Sequence, residues 1–204
     1  MTTSTQTSQT RGPVDHSVRD QIVEAATQHF SHYGYEKTTV SDLAKAIGFS
    51  KAYIYKFFDS KQAIGAMICA NRLALIQAVV DRAVGEAKTP SQKLRRLFQA
   101  LVEAGSELFF QDRKLYDIAA VAARDNWPSA AAHGERLHQL IRVILIEGRE
   151  AGEFERKTPL DDASQAIYLV MQPYISPVQL QYNLEGAAAA CEQLPALILR
   201  SLAP

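Results

Sequence analysis

The stretch that decides the fold is Thr38–Lys61, TTVSDLAKAIGFSKAYIYKFFDSK. Thr39 with Asp42 three residues later is a variant of the capping box that begins a helix. Gly48 can adopt the positive φ that ends a helix, and Ser50 can cap the next one. The pattern predicts two short helices joined by a three-residue turn.

The second helix of this pair is expected over 51–58 and carries most of the polar side chains. Ile54 and Phe58 lie four residues apart and can face inward, which leaves phenol and ammonium groups on the outer surface. A helix pair of this kind is the form of a helix-turn-helix that enters a DNA major groove. The residues placed to meet base edges are Ser41, Ser50, Lys51, Ala52 and Tyr53.

Charge supports nucleic-acid binding locally and not globally. The chain has no net charge, and its 47% hydrophobic and 22% charged residues are ordinary for a globular protein. Between Lys37 and Lys61, however, five lysines stand against two aspartates, an excess of three positive charges. Attraction to DNA is therefore expected to be modest and sensitive to salt.

A wider set of positions resembles the DNA-binding domain of TetR-type transcriptional regulators, the tetracycline-repressor family. The match spans about 17–68 and consists of Phe30, Gly34-Tyr35, Thr38-Thr39, Ala44, Gly48-Phe49-Ser50, Tyr55, Phe58 and Lys61. The resemblance implies phosphate contacts from Thr38, Thr39, Tyr55, Lys56 and Lys61. Two positions depart from the family pattern: Ala52 stands where glycine is common, and Phe57 where Tyr or His often binds a phosphate.

Helical spacing continues through the rest of the chain, so the expected fold is all-α with about nine helices. Hydroxyl caps are expected at Ser17 and Ser91, and Pro173 and Pro177 must kink or divide one helix. The predicted organisation is a disordered polar tail (1–14), a three-helix helix-turn-helix domain (15–61), and a helical bundle for ligand binding and dimerisation (62–204).

The bundle contains two further candidate sites. Its middle helices mix apolar area with phenol and indole donors, which suits a pocket for an apolar or aromatic molecule, although core packing explains each position equally well. The pocket candidates are Phe98, Val102, Phe109, Tyr116, Trp127, Ile141, Tyr168, Met171 and Tyr174. Small and large apolar residues in the last two helices suit a twofold interface. The interface candidates are Leu169, Ala187, Ala190, Leu194, Leu197 and Ile198.

Other chemistry finds little support in the sequence. Cys69 and Cys191 are far apart in apolar stretches, which favours buried free thiols. The histidines have no third ligand for a metal, and no nucleophile, zinc or phosphate-loop motif occurs, so neither a cofactor nor an enzyme is expected. We find neither a signal peptide nor an uninterrupted apolar run that could span a membrane, and expect a cytoplasmic location.

The leading hypothesis is a homodimeric TetR-type regulator, a repressor that a small-molecule ligand releases from a palindromic operator. In this hypothesis the ligand displaces the fourth helix and changes the separation of the two reading helices. The alternative is a helical small-molecule-binding or protein-interaction module that does not bind DNA. Phe57, Ala52 and the absence of net charge are the features that favour the alternative.

Overall fold

The computed structural model describes residues 13–204, which form ten α-helices and one 3₁₀ helix without a strand. The N-terminal helices are α1 (Pro13–Tyr33), α2 (Val40–Ile47), α3 (Lys51–Ile54) and α4 (Lys61–Gly85). The middle helices are α5 (Pro90–Gln111), α6 (Arg113–Arg124) and α7 (Pro128–Glu150). The last are α8 (Leu160–Ile175), α9 (Pro177–Leu180), a 3₁₀ turn (Leu184–Gly186) and α10 (Ala187–Ser201). The all-α prediction is confirmed.

Several helix ends differ from the predicted ones. The helix α1 begins at Pro13, so Ser17 lies inside it and does not cap it. Residues 1–12 of the predicted tail lie outside the described residues, and 13–14 belong to α1. Thr89, not Ser91, caps α5, because proline at the first helical position needs no donor there.

Two hydrophobic cores organise the molecule. The C-terminal core is built from α5, α7, α8 and α10 with the second half of α4. The N-terminal core joins α1, α2 and α3 to the first half of α4, and it also takes in Leu115, Ile118 and Ala122 of α6 together with Trp127. Packing in the N-terminal core therefore continues across the predicted boundary between residues 61 and 62.

The helix α4 belongs to both cores. Ile64 is buried in the N-terminal core and Val80 in the C-terminal core. By length and composition alone α4 could cross a membrane, and it is the only such helix within residues 13–204. A helix that runs through the cores of a folded domain can have the same composition, so this feature is weak evidence for a membrane span.

Most of the α10 residues predicted for the twofold interface face the chain's own core. Ala187, Ala190 and Ile198 are buried in the chain's own C-terminal core, and Leu194 packs against it. Leu197 is 55% exposed and Leu169 of α8 is 57% exposed. Because α10 is apolar around most of its circumference, periodicity alone could not show which face the chain buries.

Candidate nucleic-acid interface

Local hydrogen bonds define the first helix of the pair. The Asp42 N–H donates to Thr39 Oγ1 at 3.2 Å, while the Thr39 N–H and hydroxyl donate to Asp42 Oδ2 at 2.9 and 2.7 Å. The bonds from the Thr39 hydroxyl and N–H hold the pKa of the Asp42 carboxyl below its usual value. Gly48 ends α2 with φ 78°. The capping box and the glycine stop are thus confirmed.

The second helix is shorter than predicted. Ser50 Oγ accepts from the Tyr53 N–H at 3.1 Å, and α3 covers only Lys51–Ile54 before the chain turns. Ile54 is fully buried and anchors the turn to the N-terminal core. The exposed residues on this segment are Ser50, Lys51, Ala52, Tyr55 and Lys56, while Ser41 and Tyr53 are half-buried.

A row of aromatic rings fixes the orientation of Tyr53. Its ring meets Phe49 edge to face at a centroid distance of 5.0 Å and Phe57 at 5.3 Å. The Lys56 ammonium lies 5.5 Å from the same ring. Phe57, the departure from the family pattern, therefore supports Tyr53 by packing, where Tyr or His would offer a polar group.

Arg19 of α1 stabilises this segment from its inner side, a role that the sequence analysis did not predict. Its Nη1 donates to the Phe57 carbonyl at 2.8 Å, and its guanidinium lies 4.4 Å from the centre of the Phe58 ring. The bond ties α1 to the chain directly after α3. Arg19 lies 38 residues before Phe57, so no local spacing could have identified it.

Three of the predicted phosphate contacts have internal partners, and one of them is Thr39, whose hydroxyl donates to Asp42. Thr38 is 2% exposed, and its hydroxyl donates to the Gly34 carbonyl at 2.8 Å. Thr38 therefore serves the fold rather than an exposed surface. The Lys61 ammonium donates to the Tyr35 carbonyl at 2.9 Å and lies 4.3 Å from the Tyr35 ring centre, with two protons left for another acceptor.

A cavity of about 480 Å³ lies between α4, α6, α7 and α8. Of the nine predicted pocket residues, Tyr168 lines it. None of the other eight lines this cavity: six are buried in the two cores, and Phe109 and Tyr174 pack against the C-terminal core. Small residues open the space: a Cβ at Gly134 would lie only 2.9 Å from the Tyr168 phenol oxygen.

Polar groups line part of this cavity, and Glu135 is the one carboxylate among them. Ser164 Oγ donates to the Asp161 carbonyl at 3.0 Å, so it accepts from His138 Nε2–H at 3.2 Å. Cys69, a buried free thiol, lies on the α4 side, and burial raises its pKa. Gln172 lies on the α8 side.

The cavity and the helix-turn-helix share two helices. Cys69 and Leu73 of α4 and Ala119 and Ala123 of α6 line the cavity. The same two helices supply Ile64 and Ile118 to the N-terminal core, on which α2 and α3 are packed. Any displacement of α4 or α6 at the cavity therefore acts on the support of the helix-turn-helix.

Two family models match the chain. Residues 22–66 match the model described as bacterial regulatory proteins, tetR family, and residues 90–194 match the tetracyclin repressor-like C-terminal domain. The chain belongs to the TetR family. The two matches cover the TetR helix-turn-helix and most of the bundle behind it.

Three transcriptional regulators are similar to this chain over most of their length. The HTH-type transcriptional repressor DhaR of Mycobacterium sp. (strain GP1) is 30% identical over 173 residues, which cover 82% of this chain and 85% of DhaR. PfmR of Thermus thermophilus is 27% identical with a TM-score of 0.58, covering 88% and 97% of the two chains. FadR of Bacillus subtilis, solved with stearoyl-CoA, shares the fold at 19% identity and a TM-score of 0.66, covering 90% and 98%.

Proposed function

We propose that this TetR-family protein is a transcriptional repressor whose α3 enters the major groove of a palindromic operator. The observation that carries the proposal is a set of four exposed residues: Lys51 and Ala52 on α3, and Tyr55 and Lys56 directly after it. The buried Ile54 anchors this segment. Lys51, Ala52 and Tyr53 would meet base edges, with Ser41 and Ser50 beside them. Tyr55, Lys56, Thr39 and Lys61 would bind phosphates and fix the register.

The Thr39 and Lys61 contacts would compete with bonds inside the protein. The Thr39 hydroxyl already donates to Asp42, and Lys61 already donates to Tyr35. Lys61 can keep its bond and still offer two protons to a phosphate, because an ammonium has three donors. Thr39 has a single hydroxyl proton, so its contact requires the capping bond to rearrange.

A small molecule in the 480 Å³ cavity is the proposed signal for release. The cavity is within the size range of small-molecule sites in proteins. Its occupant would contact α4 and α6 together, and these helices carry the N-terminal core. A shift of either helix would move α3 relative to its counterpart in a dimer. Coupling of about 1–3 kcal/mol is typical of such systems and changes operator affinity by roughly 5–150-fold.

The proposed dimer uses the outer faces of α8 and α10. Leu169 and Val170 on α8 and Leu197 on α10 are large apolar side chains that the single chain leaves exposed. Two such helices from each subunit would form a four-helix bundle about a twofold axis. In this proposal residues 15–61 bind DNA and 62–204 bind the ligand and the partner. A regulator of this kind acts in the cytoplasm and catalyses no reaction.

Selection of bound sequences from random duplex DNA tests the proposal directly. The purified full chain should enrich a palindrome with half-sites about one helical turn apart, and its affinity should fall steeply with added salt. Failure to enrich any sequence, with no measurable binding to duplex DNA at low salt, would favour the alternative of a helical module that does not bind DNA.

A further inference from the structure

Gln77 of α4 has a buried amide oxygen without a hydrogen-bond donor among the described residues. The residue is only 6% exposed. Its Nε2 donates to Asp81 Oδ1 at 2.7 Å, one turn further along the helix. Because a carboxylate only accepts, this bond fixes which end of the amide is nitrogen and leaves Oε1 as the unpaired atom. An unpaired buried acceptor lowers stability, so its presence calls for a functional explanation.

A second cavity of about 200 Å³ lies beside this residue. Gln77 lines it together with Ser129, His133 and Arg136. Ser129 Oγ is also buried, and its hydroxyl approaches the Cys69 thiol, a weak acceptor. Leu73 and His133 line both this small cavity and the larger one, so the two spaces are neighbours. Gln77 and Ser129 therefore line a space next to the one proposed for the effector.

The surrounding charges favour an uncharged occupant. Burial, with a smaller contribution from Arg136, lowers the pKa of His133, so its ring is neutral at neutral pH. The Arg136 guanidinium opposes a cation in the small cavity. An anion would meet the Gln77 oxygen with the Asp81 carboxylate behind it. Among the residues that the structure describes, Glu135 is the one acidic residue in the wall of the larger cavity, which contains neither Lys nor Arg, so this wall opposes an acidic ligand.

We propose that Gln77 and Ser129 form a recognition subsite for the hydroxyl group of an uncharged, mainly apolar effector. The inference rests on the proposed effector response of the larger cavity, which would hold the apolar body of the molecule. A hydroxyl suits the two groups because it can donate to Gln77 Oε1 and accept from the Ser129 hydroxyl at once. Since Gln77 belongs to α4, this bond would connect the effector directly to the helix that supports the helix-turn-helix.

Three probes with the same carbon chain test the subsite: 1-octanol, octanoate and octylamine. Calorimetric titration of the full chain should show 1-octanol binding at least about fivefold more tightly than either charged probe, the factor expected for one net hydrogen bond. Gln77→Met should weaken the binding of 1-octanol by about the same factor. The free Gln77→Met protein should melt at the same temperature as the wild type or higher, because the unpaired acceptor is gone.

Gln99→Met is the matched control. Gln99 of α5 also donates to an acid four residues later, Glu103, but is exposed and lines neither cavity. This variant should leave the binding of 1-octanol unchanged. A purely structural role for Gln77 would instead lower the melting temperature of Gln77→Met below that of Gln99→Met, and this result would overturn the proposal.

Two further outcomes separate the subsite from the proposed function. Equal affinity of the wild type for 1-octanol and octanoate, or undiminished binding of 1-octanol by Gln77→Met, would overturn the subsite. Binding to the selected operator is measured in parallel without any probe. Absence of operator binding would contradict the repressor proposal. Operator binding together with a negative result in the 1-octanol experiment would contradict only the subsite.

Discussion

Tyr35 and Trp127 meet edge to face, with ring centroids 5.8 Å apart. Tyr35 directly follows the glycine that ends α1, and Trp127 is the residue before α7. Both rings pack over Gly65 of α4, where an added Cβ would lie 2.9 Å from Tyr35 and 3.1 Å from Trp127. The neighbouring Asn126 lines the larger cavity. This contact therefore joins the helix-turn-helix to α4 and to the wall of the cavity.

Gly65→Ala should destabilise the protein by about 1–3 kcal/mol, because both rings are buried and cannot retreat from the new methyl group. Gly85→Ala is the control, since nothing lies within 4 Å of its Cβ position and alanine is the better helix former. Chemical denaturation followed by the fluorescence of Trp127, the single tryptophan, measures both variants. Equal free energies of unfolding for the two variants would show that the Tyr35 and Trp127 rings move aside for the added methyl group.

Lys51 and Lys56 should differ in their effects on DNA binding, although both are exposed lysines on the same segment. Lys51→Ala should reduce the free energy of binding to the preferred sequence by about 1–3 kcal/mol, because a base contact is lost. Binding to other sequences should weaken less. Lys56→Ala should weaken binding to all sequences alike. It should also reduce, by about 1, the slope of log binding constant against log salt concentration. Fluorescence anisotropy on selected and scrambled duplexes distinguishes the two, with Lys157→Ala as an exposed control. Identical profiles would contradict the assigned roles.

Leu169→Glu and Leu197→Glu should convert the proposed dimer into a monomer, because each would bury a carboxylate in an apolar interface. Leu75→Glu is a matched control on α4, where the leucine is 60% exposed and outside the proposed interface. Sedimentation equilibrium at micromolar protein measures the mass. A dimer that survives both substitutions would place the interface elsewhere.

Ionisation of the Tyr116 phenol should make the folded protein less stable at alkaline pH. Its hydroxyl donates to the Pro177 carbonyl at 2.7 Å, and burial raises its pKa from 10.0 to about 12. The unfolded chain therefore releases this proton first, so the contribution is complete below pH 10 and disappears as the pH rises towards 12. The loss is about 2–3 kcal/mol, from 1.36 kcal/mol per unit.

Tyr116→Phe should remove the part of the alkaline loss that this phenol causes. It should also lower stability at neutral pH by about 1 kcal/mol, because the Pro177 carbonyl loses its donor. Tyr182→Phe, at a residue that is 81% exposed, should change neither quantity. Urea titrations at pH 7, 10 and 11 would compare them, and an unchanged alkaline slope in Tyr116→Phe would refute the assignment.

The sequence determined the local structure of the helix-turn-helix because its signals lie within a few residues of one another. Thr39 with Asp42, Gly48 and Ser50 act through bonds that span three or four positions, and all three features are present in the structure. The spacing of the family motif likewise identified the family. Apolar periodicity was sufficient for an all-α fold, although it did not fix every helix end.

Only the tertiary structure decided which faces pack and which spaces stay open. Ala187, Ala190 and Ile198 turned out to be core, and Leu197 to be surface, because α10 has apolar residues on both sides. Apart from Tyr168, the aromatic residues predicted for the pocket lie in or against the cores, while alanines, Gly134 and polar groups line much of the cavity. The Arg19 brace and the unpaired oxygen of Gln77 depend on distant neighbours. Such contacts arise only when helices far apart in the chain pack together.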